Sequence, residues 1–146
     1  MTFTAKGMNC PNIKSLLKGC GKKYVDRFKG GVFIHYFLNT FSYHRFHSSV
    51  NGKIVQSKNI VENVYLETAI DKGGDFDAPD NTDGGYEFTQ ARGLLIVDTA
   101  QQIDDNVEGD IGYVAMLPIG MSHVSSVVMT AKKNKYIKKG DEFGYF

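Results

Sequence analysis

The chain has 146 residues, enough for one domain with a single modest core, so residues 1–146 are treated as one domain. Its 17 lysine and arginine residues against 16 aspartate and glutamate residues leave a formal net charge of +1. This balance excludes a protein dominated by a strongly basic nucleic-acid-binding arm or by an acidic tail. No run approaches the roughly 18 apolar residues of a membrane-spanning helix. Residues 1–7 lack the apolar stretch of a secretory signal peptide.

The first predicted elements are helical and lie between residues 8 and 30. Pro11 and Asn12 are typical of a helix start, with Asn12 as the capping residue. Gly19 and Gly21 interrupt the helical pattern, and a second short helix is predicted over residues 22–28.

From residue 32 onward, β-branched, aromatic and alternating residues predict strands. The predicted strands cover residues 32–38, 50–56, 59–70, 86–99, 111–119, 124–131 and 143–146. The first of these strands, 32–38, is expected to be buried. A loop is predicted over residues 71–85 and a basic turn over residues 132–139. Short helices followed by many strands indicate an α+β domain that is mostly antiparallel sheet.

The two cysteines, Cys10 and Cys20, lie ten residues apart. No second pair accompanies them, and their spacing is not that of a zinc knuckle or a redox motif. The pattern predicts two reduced thiols in an intracellular protein, so we expect a cytoplasmic location.

The densest group of residues suited to chemistry is Tyr43-His44-Arg45-Phe46-His47. Histidine is the side chain best suited to proton transfer near neutral pH, and the Arg45 guanidinium can hold a carboxylate or phosphate through two contacts. Exposed loop histidines and a zinc pair are the alternatives, although no third and fourth zinc ligands are evident.

A second candidate site is the loop containing Gly120, Met121 and Ser122, where a glycine and small polar residues would let the backbone approach a substrate closely. The alternative is a turn or bulge between strands. No Gly-x-Ser-x-Gly elbow is present to indicate a hydrolase nucleophile.

Two charged segments are better explained by solvation than by a site. The aspartates of residues 71–85 begin a calcium-loop pattern, but Pro79 breaks it. The lysines of residues 132–139 are typical of an exposed turn, although they could also touch an anionic membrane surface and make the protein peripheral to it.

Taken together, five segments resemble the phosphatidylserine decarboxylase family, in the family's order and over nearly the whole chain. The family typically carries Tyr-His-Arg-x-His followed by a proline-containing turn, and Ser49 stands here where proline is usual. The segments are Ala5-Lys6-Gly7 with Leu16-Leu17, Gly31 to Gly52, which contains the histidine motif, RGLLIVDT at 92–99, residues 119–127, and KKGDEFGYF at 138–146. The last segment is similar to the stretch just before the family's self-cleavage site. The acidic loop and the pattern at 119–127 are closer to soluble relatives such as fungal tryptophan decarboxylases.

The resemblance implies an enzyme that is made as an inactive precursor. A serine in a Gly-Ser pair attacks the preceding carbonyl, the chain splits, and the serine becomes an N-terminal pyruvoyl group on a smaller, α-type chain. That group is the electron sink for decarboxylation of an amine-bearing carboxylate, either phosphatidylserine or a free amino acid. The expected partners are therefore the pyruvoyl-bearing chain, this substrate and further copies of the protein, without nucleic acid or metal.

The resemblance also assigns roles to the histidine motif. His47 matches the histidine that helps deprotonate the serine during self-cleavage, a role that needs an orienting acid. His44 matches the histidine that assists decarboxylation by positioning the carboxylate or by protonating the product carbon. Tyr43 and Arg45 accompany the motif as structural support.

Two features of the family fall outside the sequence. The family's orienting acid lies upstream of Ala5-Lys6-Gly7, and its Gly-Ser pair lies beyond the position of Phe146. We therefore expect the chain to be truncated at both ends, to correspond to the larger β-type portion and to be inactive by itself. A non-catalytic scaffold that keeps the fold is the alternative.

Overall fold

The computed structural model describes two short helices near the start of the chain. The described residues are 3–4, 13–36, 38, 42–64, 69–70, 72–74, 76–77, 86–101, 110–121 and 124–146. Helix α1 covers Ile13–Leu16 and helix α2 covers Lys22–Arg27, which confirms the two predicted helices. Gly19 and Gly21 separate them with φ angles of 73° and 80°, a region that favours glycine. The predicted capping residue Asn12 lies outside the described residues.

Eleven strands are described, and every pairing between them is antiparallel. They are β1 (Phe3–Thr4), β2 (His35–Tyr36), β3 (Arg45–His47), β4 (Gly52–Ile60), β5 (Ala69–Ile70), β6 (Phe76–Asp77), β7 (Arg92–Asp98), β8 (Tyr113–Met116), β9 (Val128–Met129), β10 (Tyr136–Ile137) and β11 (Glu142–Tyr145). One sheet has the order β10-β4-β7-β8, a second has the order β3-β11-β9, and β1-β2 and β5-β6 form pairs. The predicted α+β class is confirmed.

Strand β7 lies at the centre of the fold, because all seven of its residues are buried. Successive side chains of a strand point to opposite faces. Leu95 and Val97 accordingly join a core cluster with Phe46 of β3, while Leu94 and Ile96 join a second cluster. The second cluster contains Leu17 and Cys20 from the helical region together with Ile60. The histidine-bearing strand and the helices therefore pack into separate clusters formed by alternate residues of β7.

A buried arginine ties the first helix to this central strand. Arg92 is 1% exposed, and its guanidinium donates to the carbonyls of Ser15 at 2.6 Å, Leu16 at 3.2 Å and Gln90 at 2.7 Å. The last carbonyls of a helix have no partner within the helix, so the side chain satisfies them. Burial lowers the pKa of Arg92, an effect that the charge of Glu62 partly offsets.

Replacing Arg92 by methionine keeps most of the side-chain volume but leaves the three carbonyls without this donor. We expect the free energy of unfolding to fall by about 2–4 kcal/mol, because the three carbonyls would lose the hydrogen bonds of a buried, charged donor. Lys133→Met, on the exposed turn, is the control and should change it by less than about 0.5 kcal/mol. Chemical denaturation measures the free energy of unfolding of both variants. Equal losses in the two would contradict a stabilising role for the hydrogen bonds between Arg92 and α1.

The prediction of a buried strand over residues 32–38 is wrong. Of the residues described in this range, only His35–Tyr36 form a strand, and the side chains of Val32, Ile34 and Tyr36 are 91%, 51% and 59% exposed. The only strand that pairs with β2 among the described residues is the two-residue β1. A ribbon this short leaves its outer face uncovered.

Two further predicted strands have the wrong bounds. Strand β4 ends at Ile60, and the following Val61 is 84% exposed. Of the strand predicted over 59–70, the described residues therefore form strand only at 59–60, the end of β4, and in β5, while residues 65–68 lie outside the described part of the chain. Tyr86–Phe88 form a 3-10 helix, and the strand predicted over 86–99 begins only at Arg92. Aromatic residues favour strands only where neighbouring strands cover them.

The strands predicted over residues 50–56, 111–119, 124–131 and 143–146 are confirmed as β4, β8, β9 and β11, with different bounds. The basic turn contains the short strand β10, and Asn134 next to it has a φ of 67°. Within the described residues, no helix has the length and apolar character needed to cross a membrane. Of the predicted loop at 71–85, the described part includes the strand β6.

Candidate active site

The histidine motif lies on β3 and pairs with β11, almost 100 residues further along the chain. The register places Arg45 opposite Tyr145, Phe46 opposite Gly144 and His47 opposite Glu142, with an irregularity between the last two positions. Next to the pair formed by Arg45 and Tyr145, the Phe146 N–H donates to the His44 carbonyl at 3.0 Å and extends the pairing by one position. The motif is therefore fixed against the segment 138–146.

Phe46 anchors this strand pair in the core. Its ring lies 5.5 Å from that of Phe143 and 4.6 Å from that of Phe146, and it is 8% exposed. The flanking side chains of Arg45 and His47 are exposed, as expected when residues alternate between the faces of a strand. A side chain at Gly144 would meet the Val128 carbonyl and the Phe46 ring, so close packing requires glycine there.

Both ring nitrogens of His47 have partners. Nδ1 lies 2.7 Å from the carbonyl oxygen of Gly140, and Nε2 lies 2.9 Å from the hydroxyl of Tyr43. A carbonyl oxygen only accepts, so Nδ1 carries the proton and Nε2 of the neutral ring carries the lone pair. The Tyr43 hydroxyl then donates to Nε2, and the two rings stack with centroids 5.7 Å apart.

The Gly140 carbonyl belongs to a turn held by several hydrogen bonds. The Gly140 N–H donates to the Ser48 carbonyl at 2.8 Å, and the Lys138 N–H donates to Asp141 Oδ2 at 2.9 Å. The Lys139 N–H donates to Oδ1 of Asn51 at 2.8 Å. The turn therefore presents the carbonyl to His47 from a fixed backbone.

His44 and Arg45 have different surroundings. The His44 ring is half-buried and meets the Phe146 ring edge-on, with centroids 6.0 Å apart. Arg45 donates from Nη1 to Oε1 of Glu142 at 2.7 Å and lies over the ring of Tyr145 at 5.4 Å. These contacts engage the guanidinium of Arg45 within the strand pair, and its role as structural support stays a prediction.

The second candidate site is not joined to the histidine motif by any hydrogen bond between described residues. A side chain at Gly120 would meet the backbone of Ser125, and Met121 pairs with Val124. Gly120 thus allows two parts of one loop to approach each other. Ser122 lies outside the described residues, and substrate binding by this loop stays a prediction.

Ser49, which stands where the family usually has proline, uses the N–H that proline lacks. That N–H lies 3.4 Å from the sulfur of Met116. Ser49 therefore contacts β8 through its backbone N–H, an interaction that proline could not make.

The described residues contain no group of three or more His, Cys, Asp or Glu side chains arranged to hold a metal ion. Cys20 is a free, buried thiol whose pKa is raised by burial. Cys10 lies outside the described part of the chain. The residues that the sequence interpretation did not assign to the site are Gly140, Glu142 and Phe146, although all three lie in the segment KKGDEFGYF that carried part of the resemblance.

Comparison with protein families gives one match over the full length of the chain. The family model described as phosphatidylserine decarboxylase matches residues 1–146. The chain belongs to the phosphatidylserine decarboxylase family. This result confirms the resemblance stated above, and members of this family are decarboxylases.

Individual curated proteins are similar to this chain at modest identity. An L-tryptophan decarboxylase of Psilocybe cyanescens is 30% identical over 99% of this chain and 32% of its own length. A phosphatidylserine decarboxylase proenzyme of Fusobacterium nucleatum is 32% identical over 88% of this chain and 36% of its own length. Proenzyme 2 of Komagataella phaffii is 27% identical over 99% of this chain and 13% of its own length. The chain therefore spans about a third, or less, of these relatives.

Proposed function

We propose that the chain is the larger, β-type part of a pyruvoyl-dependent decarboxylase that converts phosphatidylserine to phosphatidylethanolamine and carbon dioxide. The observation that carries the proposal is the pairing of β3 with β11. It holds the histidine motif against Tyr145 and Phe146, in the segment that resembles the stretch before the family's self-cleavage site. "Proenzyme" in the names of several relatives agrees with a precursor that is processed.

The residues present fit a pyruvoyl group formed next to this segment. The side chain of His47 is exposed, and its Nε2 carries the lone pair that a general base needs. The pyruvoyl group, when bound, would supply the carbonyl that takes up the electrons released with carbon dioxide. His47 would accept the proton of the serine that becomes this group.

His44 would act at the later stage. Its ring is half-buried against Phe146, so its orientation is restricted while part of it stays accessible. A restricted imidazole can position the substrate carboxylate or return a proton to the product carbon. We propose a C-terminal α-type chain as the obligatory partner and a homo-oligomer as the assembled form.

A second candidate substrate is a free amino acid similar to tryptophan. Two L-tryptophan decarboxylases, from Psilocybe cyanescens and Psilocybe cubensis, are 30% and 28% identical over 99% and 92% of this chain. The Fusobacterium nucleatum phosphatidylserine decarboxylase proenzyme is 32% identical, so identity does not separate the two substrates. Both substrates carry an amine and a carboxylate on one carbon, and both would use the same site.

The proposal is tested by the intact mass of protein expressed from the complete natural coding region, with and without hydroxylamine. We expect two fragments, of which the smaller changes in mass with hydroxylamine because that reagent captures a reactive carbonyl. Release of carbon dioxide from phosphatidylserine vesicles and from L-tryptophan then separates the two substrates. A single uncut chain, unreactive with hydroxylamine, would overturn the proposal and favour the non-catalytic scaffold.

A further inference from the structure

A cluster of cationic residues lies in the segment that leads into β11. Residues 132–139 contain five lysines and no acidic residue, so they carry a charge of +5 in a chain whose formal net charge is +1, and the rest of the chain is left with −4. All five lysines are exposed. They are called the lysine surface here and are Lys132, Lys133, Lys135, Lys138 and Lys139.

Backbone hydrogen bonds fix the lysine surface beside the candidate active site. The N–H of Ile54 donates to the Lys135 carbonyl at 2.8 Å, which holds one end of the segment against β4. At the other end, Lys139 precedes Gly140, whose carbonyl oxygen lies 2.7 Å from Nδ1 of His47. An extended chain covers at most about 3.6 Å per residue, so Lys135 lies within roughly 18 Å of Gly140.

Nearby acids do not neutralise the lysine surface. Among the described residues, none of its five ammonium groups forms an ion pair with a carboxylate. The two acids that follow it have other partners, since Asp141 accepts from the backbone N–H of Lys138 at 2.9 Å and Glu142 binds Arg45 at 2.7 Å. The segment therefore produces a positive potential around the candidate site, and this potential attracts anions.

Exposed tyrosine rings accompany these lysines. Tyr136 lies within the segment and is 45% exposed, Tyr43 stacks on His47 and is 62% exposed, and Tyr145 on β11 is 37% exposed. Tyrosine suits the boundary between lipid and water, because its ring is apolar and its hydroxyl stays hydrated. Lysine suits the same boundary, because anionic headgroups attract its ammonium group.

We infer that the lysine surface docks the protein on an anionic phospholipid bilayer and brings the site of His44 and His47 to the lipid headgroups. This inference rests on the proposed function, and it selects phosphatidylserine over a free amino acid as the substrate. Phosphatidylserine is presented in a negatively charged bilayer, whereas a free amino acid needs no docking surface. The net charge of +1 for the whole chain favours the bilayer over a nucleic acid.

Vesicle sedimentation tests the docking, with protein expressed from the complete natural coding region. The vesicles contain phosphatidylcholine alone, or phosphatidylcholine with the same molar fraction of either phosphatidylserine or phosphatidylglycerol. The test variant replaces three lysines of the turn by glutamine, namely Lys132, Lys133 and Lys135. The control variant replaces three exposed lysines on and next to α2 and so changes the net charge equally, namely Lys22, Lys23 and Lys29.

We expect the wild-type protein to bind both kinds of anionic vesicle but not phosphatidylcholine alone, and to be released by salt, which screens the charges. One lysine near an anionic surface changes the affinity about fivefold, so the test variant should bind roughly 100-fold more weakly. The control variant should stay within about threefold of the wild-type affinity, because α2 packs on the other core cluster and the attraction falls off over a Debye length.

Decarboxylation assays separate docking from chemistry. The substrate is given either as phosphatidylserine in vesicles or as a short-chain phosphatidylserine dissolved as monomers. On vesicles at low lipid concentration, the test variant should lose activity in proportion to its loss of binding. On the dissolved substrate it should keep the wild-type rate, since none of the three replaced lysines belongs to the candidate active site.

A wild-type protein that ignores anionic vesicles, or an equal loss of binding in the test and control variants, would overturn the docking surface. Binding of a duplex oligonucleotide through the same lysines, without binding to vesicles, would overturn it in favour of a nucleic acid. Vesicle binding by a protein that decarboxylates only L-tryptophan would overturn the choice of substrate. Vesicle binding by an uncut, inactive protein would overturn the proposed function and leave the docking surface in place.

Discussion

Replacing His47 by alanine in the protein expressed from the complete natural coding region is expected to abolish self-cleavage. In the structure, Nδ1 carries the proton for the Gly140 carbonyl, and Nε2 is left with the lone pair. Alanine removes the only described group on β3 that is prepared as a base at this position. General bases contribute roughly 100- to 10,000-fold to such steps, so uncut precursor should accumulate on a denaturing gel.

His35→Ala is the matched control for this experiment. His35 lies on β2, and its ring faces Glu87 at 3.8 Å rather than β11. This variant should be cleaved at the wild-type rate. Cleavage of His47→Ala at a rate close to that of His35→Ala would show that another group removes the serine proton.

Replacing His44 by alanine should leave self-cleavage within about threefold of the wild-type rate and lower the decarboxylation rate at least about 100-fold. The backbone of His44, not its ring, bonds to Phe146, through a hydrogen bond of 3.0 Å. The strand pair therefore survives the substitution. What disappears is the imidazole that meets the Phe146 ring edge-on.

Intact mass measures cleavage in this variant, and release of carbon dioxide from the processed enzyme measures decarboxylation. His44→Gln is the companion variant, since it keeps polarity and length but cannot transfer a proton near neutral pH. It should cleave like His44→Ala and should also fail to decarboxylate. An equal loss of cleavage in His44→Ala and His47→Ala would contradict the separate roles of the two histidines.

The parts of the fold that were predictable from sequence are those controlled by local chemistry. Gly19 and Gly21 end the helical pattern because their positive φ angles suit glycine. The run RGLLIVDT was expected to form a strand, and β7 lies within it.

The errors lie where burial depends on distant neighbours. Val32, Ile34 and Tyr36 have the composition of a buried strand but are exposed, because β2 pairs only with β1 among the described strands. Tyr86–Phe88 have strand-forming aromatic residues but form a 3-10 helix. The composition of a segment indicates which secondary structure its residues favour. The burial of their side chains depends on which other elements pack over them.

The sequence by itself determined the family, the mostly antiparallel α+β class and the presence of His44 and His47 in one short motif. These conclusions depend on residue types and short spacings, which can be read without knowing what lies opposite. Only the tertiary structure decided that Gly140 meets His47 and that Phe146 meets His44, across 93 residues in the first case. Pairing over such a separation depends on the register of β3 and β11 and on the packing of the Phe46 ring against the rings of Phe143 and Phe146. For the same reason, the proton on Nδ1 could be assigned only after the carbonyl that accepts it was located.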